Sequence, residues 1–435
     1  MMGYALRRGQ ATGQIDPLAA RAVYLRRGGS ALLVECDLCL LAPAQARDVR
    51  RRIARSTGLR PESVLVGCIH THSGPDTGLG DLLAGRAPPA FVAPLLDAAV
   101  EAGVRAFRVA GPARLAAGHA RAEIGRNRAE PDGPRDPDLP VLRLDGRDGR
   151  PLAVVYAHGC HPTVLGHDNL AYSADWPGAA AEVIAERLPG CVPLFLLGAH
   201  GDIDPRTRGV MDLAVSGQSA GASPAAMRAL GREVGLAVAE LAGALDADAS
   251  APVGASLARV SLAVHGGEDP EIAADHLREL RRAALRALEL PEDAGLRTAE
   301  LFAAAEERTA GLAPEEVRER RARVRLYLRD RLAPRFAGGR VARVEVQALR
   351  LGPLALLALP LEPTTAVGLD WKERVGADAS LVAIAGGWLR YLPHRRDFEH
   401  PRAHLHYEVL NSTFEARAAE RLLERGEELL AGIPR

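Results

Sequence analysis

The sequence predicts an α/β protein built of layered mixed β-sheets flanked by helices. Three observations lead there. Short apolar runs alternate with helix-period segments through the first half of the chain, several of those runs empty into a loop bearing His or Asp, and long charged helices interrupt the pattern at about 268–339.

Taken in order, 31–41 reads as a strand and 44–57 as a helix; strand 64–69 and helix 91–107 repeat the unit. Strands at 153–156 and 193–197 bracket a helix that opens at Asp175-Trp176-Pro177-Gly178, where proline suits a first turn. Between 268 and 339 the stripes Leu277, Leu280, Leu285, Leu288 and Val317, Val324, Leu328 mark a helical insertion within a single domain spanning 1–435. The run from Arg318 to Arg325 reads as a solvated helix face balanced by Glu315, Glu316 and Glu319. Strands resume at 344–351 and 354–359 and deliver Leu359-Pro360-Leu361-Glu362-Pro363.

Composition narrows the function. At 435 residues, 47% hydrophobic and 25% charged, the chain is of globular type. Lys plus Arg equals Asp plus Glu at 55 each and aromatics are scarce, which argues against nucleic acid and for a small-molecule partner. Arg7 and Arg8 are followed by no apolar stretch, and Glu35 and Asp37 interrupt the run 31–41, so neither a signal peptide nor a membrane span is expected. Five cysteines are too few and odd in number for a disulfide framework, so reduced thiols and a cytoplasmic setting are expected. Cys36-Asp37-Leu38-Cys39 has metal-like spacing but no second pair.

The chemistry concentrates at strand ends. His70-Thr71-His72-Ser73-Gly74-Pro75 follows one strand and His158-Gly159-Cys160-His161-Pro162-Thr163 another. Zn²⁺ favours imidazole and carboxylate ligands, and His70, His161 and a carboxylate would satisfy a catalytic site with one open position. Spacing alone leaves His158 as an alternative to His161, and leaves open which histidine of the first motif binds metal. A third loop, Gly198-Ala199-His200-Gly201-Asp202-Ile203-Asp204-Pro205, has small residues that admit close backbone approach. Asp175 reads as a helix cap with a second role open in substrate contact, Trp388 as pocket wall or core, and Cys68 and Cys160 as packing residues. His394, His400, His404 and His406 read as a solvated loop that reaches toward the site.

These motifs, with Tyr391-Leu392-Pro393, stand in an order that resembles the neutral/alkaline ceramidases, zinc amidohydrolases, from about residue 3 to 408. The resemblance is to the catalytic amino-terminal domain. It implies zinc held by His70, His161, Glu362 and Tyr391, with His72 lining the site, Arg128 of Asn127-Arg128 holding the reacting group, and Tyr407 as a second active-site tyrosine. It also implies hydrolysis of an amide by a metal-activated water, with His72, Asp202 and Asp204 as candidate bases.

The chain departs from the family where Asp204 replaces a serine beside the scissile bond. The last motif stands close to Arg435 and the first match at Gly3-Tyr4, so the family's immunoglobulin-like segment is not expected. A carboxylate at that place argues for a polar or amine-bearing N-acyl compound rather than ceramide. Zinc-dependent ester or lactone hydrolysis, a non-hydrolytic zinc lyase or cyclase, and a binding protein without catalysis are the alternatives.

Overall fold

The computed structural model describes residues 1–4, 7–208, 222–247, 251–267 and 269–434. Residue 268, at the expected start of the helical insertion, lies outside them.

Two stacked β layers form the centre. One contains a three-stranded sheet, in which Gly29–Cys36 pairs antiparallel with Ala20–Arg27 and parallel with Val64–Cys68. It also contains a four-stranded sheet ordered Val192–Leu197, Pro151–His158, Asp138–Gly146, Ala113–Arg121, whose first pair is parallel and whose others are antiparallel. The second layer is ordered Val253–Ala263, Val341–Leu351, Leu354–Ala358, Ala379–Val382, with two antiparallel pairings and a final parallel one.

Side-chain alternation explains the stacking. In Pro151–His158, Ala153, Val155 and Ala157 join the core shared with Leu33, Leu65, Leu356 and Ala358, while Val154 and Tyr156 face the helical side. Both faces are covered, so the strands read as continuous apolar runs rather than alternating ones. On one outer face pack helices Pro43–Thr57, Asp175–Arg187 and Pro224–Ala244 through Ile53, Ile184 and Val234; on the other, Thr365–Val375 and Ala418–Ala431 through Trp371 and Leu422.

The predicted strand 31–41 stops at Cys36 because Asp37 leaves the ladder: its carboxylate accepts from the Ala19 amide at 2.8 Å and from Arg21 at 2.7 Å. Helices Pro270–Ala287, Thr298–Arg308 and Pro314–Ala337 lie between the paired strands Val253–Ala263 and Val341–Leu351, and pack through Leu285, Leu288, Leu301, Val324 and Leu328. The arginine run departs in part from the expected solvated face. Arg321 is buried and donates to the Thr309 hydroxyl at 2.9 Å, and Arg318 and Arg325 line a cavity, while Arg318 and Arg320 pair with Glu315 and Glu316 as expected.

Candidate metal centre

Three loops and one short strand converge where the parallel strands end. His70 follows Val64–Cys68 and takes a left-handed backbone, φ 69°, a conformation rare outside glycine and concentrated at functional positions. His161 follows Pro151–His158, His200 follows Val192–Leu197, and Glu362 opens the strand Glu362–Pro363, which pairs in parallel with Tyr391–Leu392. A Cβ on Gly201 would come within 2.8 Å of the Glu362 carbonyl, so glycine is what lets the third loop approach.

The metal-capable atoms of His70, His161, His200 and Glu362 all lie within 4.8 Å of one another, and all four residues are buried. Glu362 Oε2 is 3.4 Å from His70 Nε2, 3.2 Å from His161 Nε2 and 3.6 Å from His200 Nε2. Tetrahedral ligands at the usual zinc distances stand roughly 3.3 Å apart, so this spacing fits a central ion.

The tautomers fit as well. Each imidazole turns Nδ1 to a backbone carbonyl: His70 to Cys39 at 2.7 Å, His161 to Ile203 at 3.1 Å, His200 to Gly198 at 3.0 Å. A carbonyl only accepts, so each Nδ1 carries the proton and each neutral ring presents its Nε2 lone pair inward. His200 Nε2 is buried and has no hydrogen-bond partner among the described residues. Lone pairs facing a carboxylate call for a cation. Burial opposes both shifts, yet Cys39 and Glu362 pull His70 well above its ordinary pKa and the three histidines hold Glu362 well below its own, so without an ion a proton on His70 supplies the positive charge that a bound cation would replace. Glu362 Oε1, turned away, accepts from Trp388 Nε1 at 2.7 Å.

His72 adjoins the group, its Nε2 3.2 Å from His70 Nε2 and its ring 4.8 Å from that of Tyr4. Burial, His70, His161 and Arg208 hold it well below its ordinary pKa, hence neutral. His72 and Tyr391 also line a cavity of about 940 Å³, together with Arg128, Tyr407 and Glu408. Arg128 organises this wall. Its Nε donates to Glu408 at 2.8 Å, its Nη1 to Asp204 at 3.1 Å, and its Nη2 to the Gly201 carbonyl at 2.6 Å and the Tyr391 hydroxyl at 3.1 Å. Four of the guanidinium's five N–H groups are thereby committed.

No protein-family model matches the chain. It is 29% identical over 242 residues to neutral ceramidase A of Dictyostelium discoideum, a match covering 48% of this chain and 34% of that protein. In fold it is similar to a ceramidase solved in complex with C2, with a TM-score of 0.66, 17% identity and 99% of this chain on 73% of the other. It is similar too to the neutral ceramidase of Pseudomonas aeruginosa, with a TM-score of 0.64, 17% identity and 98% on 74%. The chain is thus similar in sequence, over about half its length, to a neutral ceramidase, and similar in fold to two solved ceramidases. Its matched part spans about a third of the length of the curated ceramidase.

The ceramidase-like motifs are brought together as a group, with one addition. His200, which the sequence presents only as a loop residue, stands among the ligand atoms; a His at the third strand end, matching His70 and His161 at the first two, was the available signal. His158 stays outside the cluster, its ring 6.0 Å from Trp176, so His161 is the loop's contribution. Tyr391 lies beside Glu362 in register, with its hydroxyl on Arg128.

Two acids expected in the chemistry are committed elsewhere. Asp202 accepts from the Thr365 amide at 2.7 Å, the Thr365 hydroxyl at 2.8 Å and Asn127 at 2.8 Å, which ties its loop to the scaffold. Asp204 is fully buried 3.1 Å from Arg128 and 3.4 Å from Arg208. Burial pushes its carboxyl up, but Arg208 and Arg128 outweigh it and hold the pKa down to about 2, too low for a base at neutral pH. With its charge so paired, Asp204 no longer argues for an amine-bearing substrate, nor do the comparisons support excluding ceramide. Asp175 holds the His161 loop by accepting from the Val164 and Leu165 amides.

Proposed function

We propose that the chain is a metal-dependent hydrolase of an amide bond, of neutral-ceramidase type, with zinc as the ion. The observation that carries this is the set of three inward Nε2 lone pairs around one buried carboxylate, beside a cavity large enough for an acyl chain. His70, His161, His200 and Glu362 would hold the ion, with Tyr391 at its edge. When bound, such an ion supplies Lewis acidity and a water whose pKa falls toward about 7.

The chain's own groups supply the rest. His72, held neutral by burial and its neighbours, lines the cavity beside the ligand group, and its buried Nδ1, without a hydrogen-bond partner among the described residues, is placed to hydrogen-bond an incoming group. Arg128 holds Tyr391 and Glu408 in place and adds a fixed positive charge beside the position where a carbonyl oxygen gains negative charge. Tyr407, its ring 5.5 Å from that of Tyr391, supplies a second phenol to the same wall. Burial raises Glu408 to about 7 against the pull of Arg128, a value suited to proton exchange near neutrality.

Among the described residues no helix is long and apolar enough to cross a membrane. The test is metal analysis of the purified protein followed by assay of N-acyl amides for fatty acid release, before and after chelation. One ion per chain and chelator-sensitive amide cleavage are expected; a metal-free protein that cleaves amides equally well overturns the reading.

A further inference from the structure

The charge around the cavity is lopsided. Eight arginines line it against three glutamates. Some arginines are accounted for: Arg128 and Arg208 by Asp204 and Glu408, Arg318 and Arg402 by Glu315, and Arg329 by Asp330. Among the described residues no carboxylate lies within ion-pair distance of Arg126, Arg325 or Arg390.

Arg390 is buried, donates to the Asn411 side chain and the Ser412 carbonyl, and sits 5.1 Å from the Phe336 ring centre. Arg325 is half-buried on helix Pro314–Ala337, its guanidinium 5.4 Å from the Phe302 ring centre and 5.6 Å from that of Tyr407. Phe302, Leu328 and Leu332, from the same group of helices, add apolar surface to the cavity. Withdrawing guanidinium groups from water without an anion is costly, and an incoming carboxylate or phosphate offsets that cost through charge-assisted, often paired, hydrogen bonds.

We propose that the cavity selects an amide bearing an anionic group, a carboxylate or phosphate of the N-acyl amino acid type, with the anion met by Arg325 and the acyl chain laid on Phe302, Leu328 and Leu332. This rests on the hydrolase reading above and goes beyond it by naming the substrate's charge. The helices between Val253–Ala263 and Val341–Leu351 then act as the specificity wall of the site, and their arginine run is its charge filter.

The test compares N-dodecanoylglycine and the phosphate ester of N-dodecanoylethanolamine with neutral N-dodecanoylethanolamine and a short-chain ceramide, using metal-loaded full-length protein. At least one anionic amide should exceed the neutral ones by about tenfold in kcat/KM, chiefly through KM, and the advantage should shrink with added salt. The better of the two identifies the anion. Arg325→Gln should bring the anionic-to-neutral ratio to within about threefold of unity, and Arg325→Lys should restore part of it.

Charge-blind hydrolysis, or a ratio that Arg325→Gln leaves unmoved, overturns the proposal. If no amide is cleaved, equilibrium binding of N-dodecanoylglycine against its methyl ester reads the subsite alone. Tighter binding of the acid then upholds the anion site while the hydrolase reading fails, and equal affinity overturns the anion site.

Discussion

His200 Nε2 faces Glu362 Oε2 across 3.6 Å with no hydrogen between them, because the ring's proton is held on Nδ1 by the Gly198 carbonyl. A lone pair and a carboxylate oxygen at that distance repel each other unless a cation lies between them. His200→Ala should therefore lower zinc affinity by more than the roughly 10- to 100-fold that loss of an outer partner costs. Competition with a chelator of known affinity measures this, and unchanged affinity removes His200 from the ligand set.

Trp388 donates to the outer oxygen of Glu362 at 2.7 Å and so fixes which oxygen turns inward. Trp388→Phe keeps most of the ring's bulk and deletes the donor. Zinc affinity should drop roughly 10- to 100-fold with the fold intact. Circular dichroism beside the metal titration separates the two effects.

Asp202 satisfies three donors from Thr365 and Asn127. Leaving such donors buried and unpaired costs about 1–3 kcal/mol each, so Asp202→Ala should destabilise by about 3 kcal/mol or more. Urea unfolding reads the loss. A variant of unchanged stability that has lost hydrolysis would return Asp202 to the chemistry.

Glu408 gives a pH signature. Burial raises its folded pKa to about 7 from an ordinary 4.5, so between those values the folded chain holds a proton that the unfolded chain has released. Stability from this group is therefore full below about pH 4.5 and falls as pH rises toward 7, by at most about 3 kcal/mol. Glu408→Gln keeps an acceptor for Arg128 and abolishes the titration. The variant should match the parent near pH 4.5 and become the more stable of the two by pH 7; parallel stability curves across that window would exclude the shifted carboxyl.

Much of this was legible in sequence. Strands buried on both faces announce themselves as unbroken apolar runs, so Val64–Cys68, Pro151–His158 and Val192–Leu197 were readable, and the histidines at their ends with them. Ala113–Arg121 was not, because an alanine-rich edge strand with polar positions lacks that signature. Asp202, Asp204 and His200 share one loop, and sequence ranks them by residue type alone. Which turns inward depends on Thr365, Asn127, Arg128 and Arg208, contributed by distant segments. The arginine run 318–325 was legible in part: Glu315 and Glu316 pair with Arg318 and Arg320 as expected, but the sequence does not show that Arg325 turns into the cavity instead of toward solvent.

One bound ion is central to the chemistry. X-ray absorption spectroscopy of the zinc-loaded protein, with His200→Ala and Tyr391→Phe alongside the parent, tests it most directly. The parent should show three imidazole nitrogens plus oxygen at about 2.0–2.1 Å, and His200→Ala should lose one nitrogen while Tyr391→Phe keeps all three. A parent spectrum with two imidazoles, unaltered by His200→Ala, would contradict the central claim.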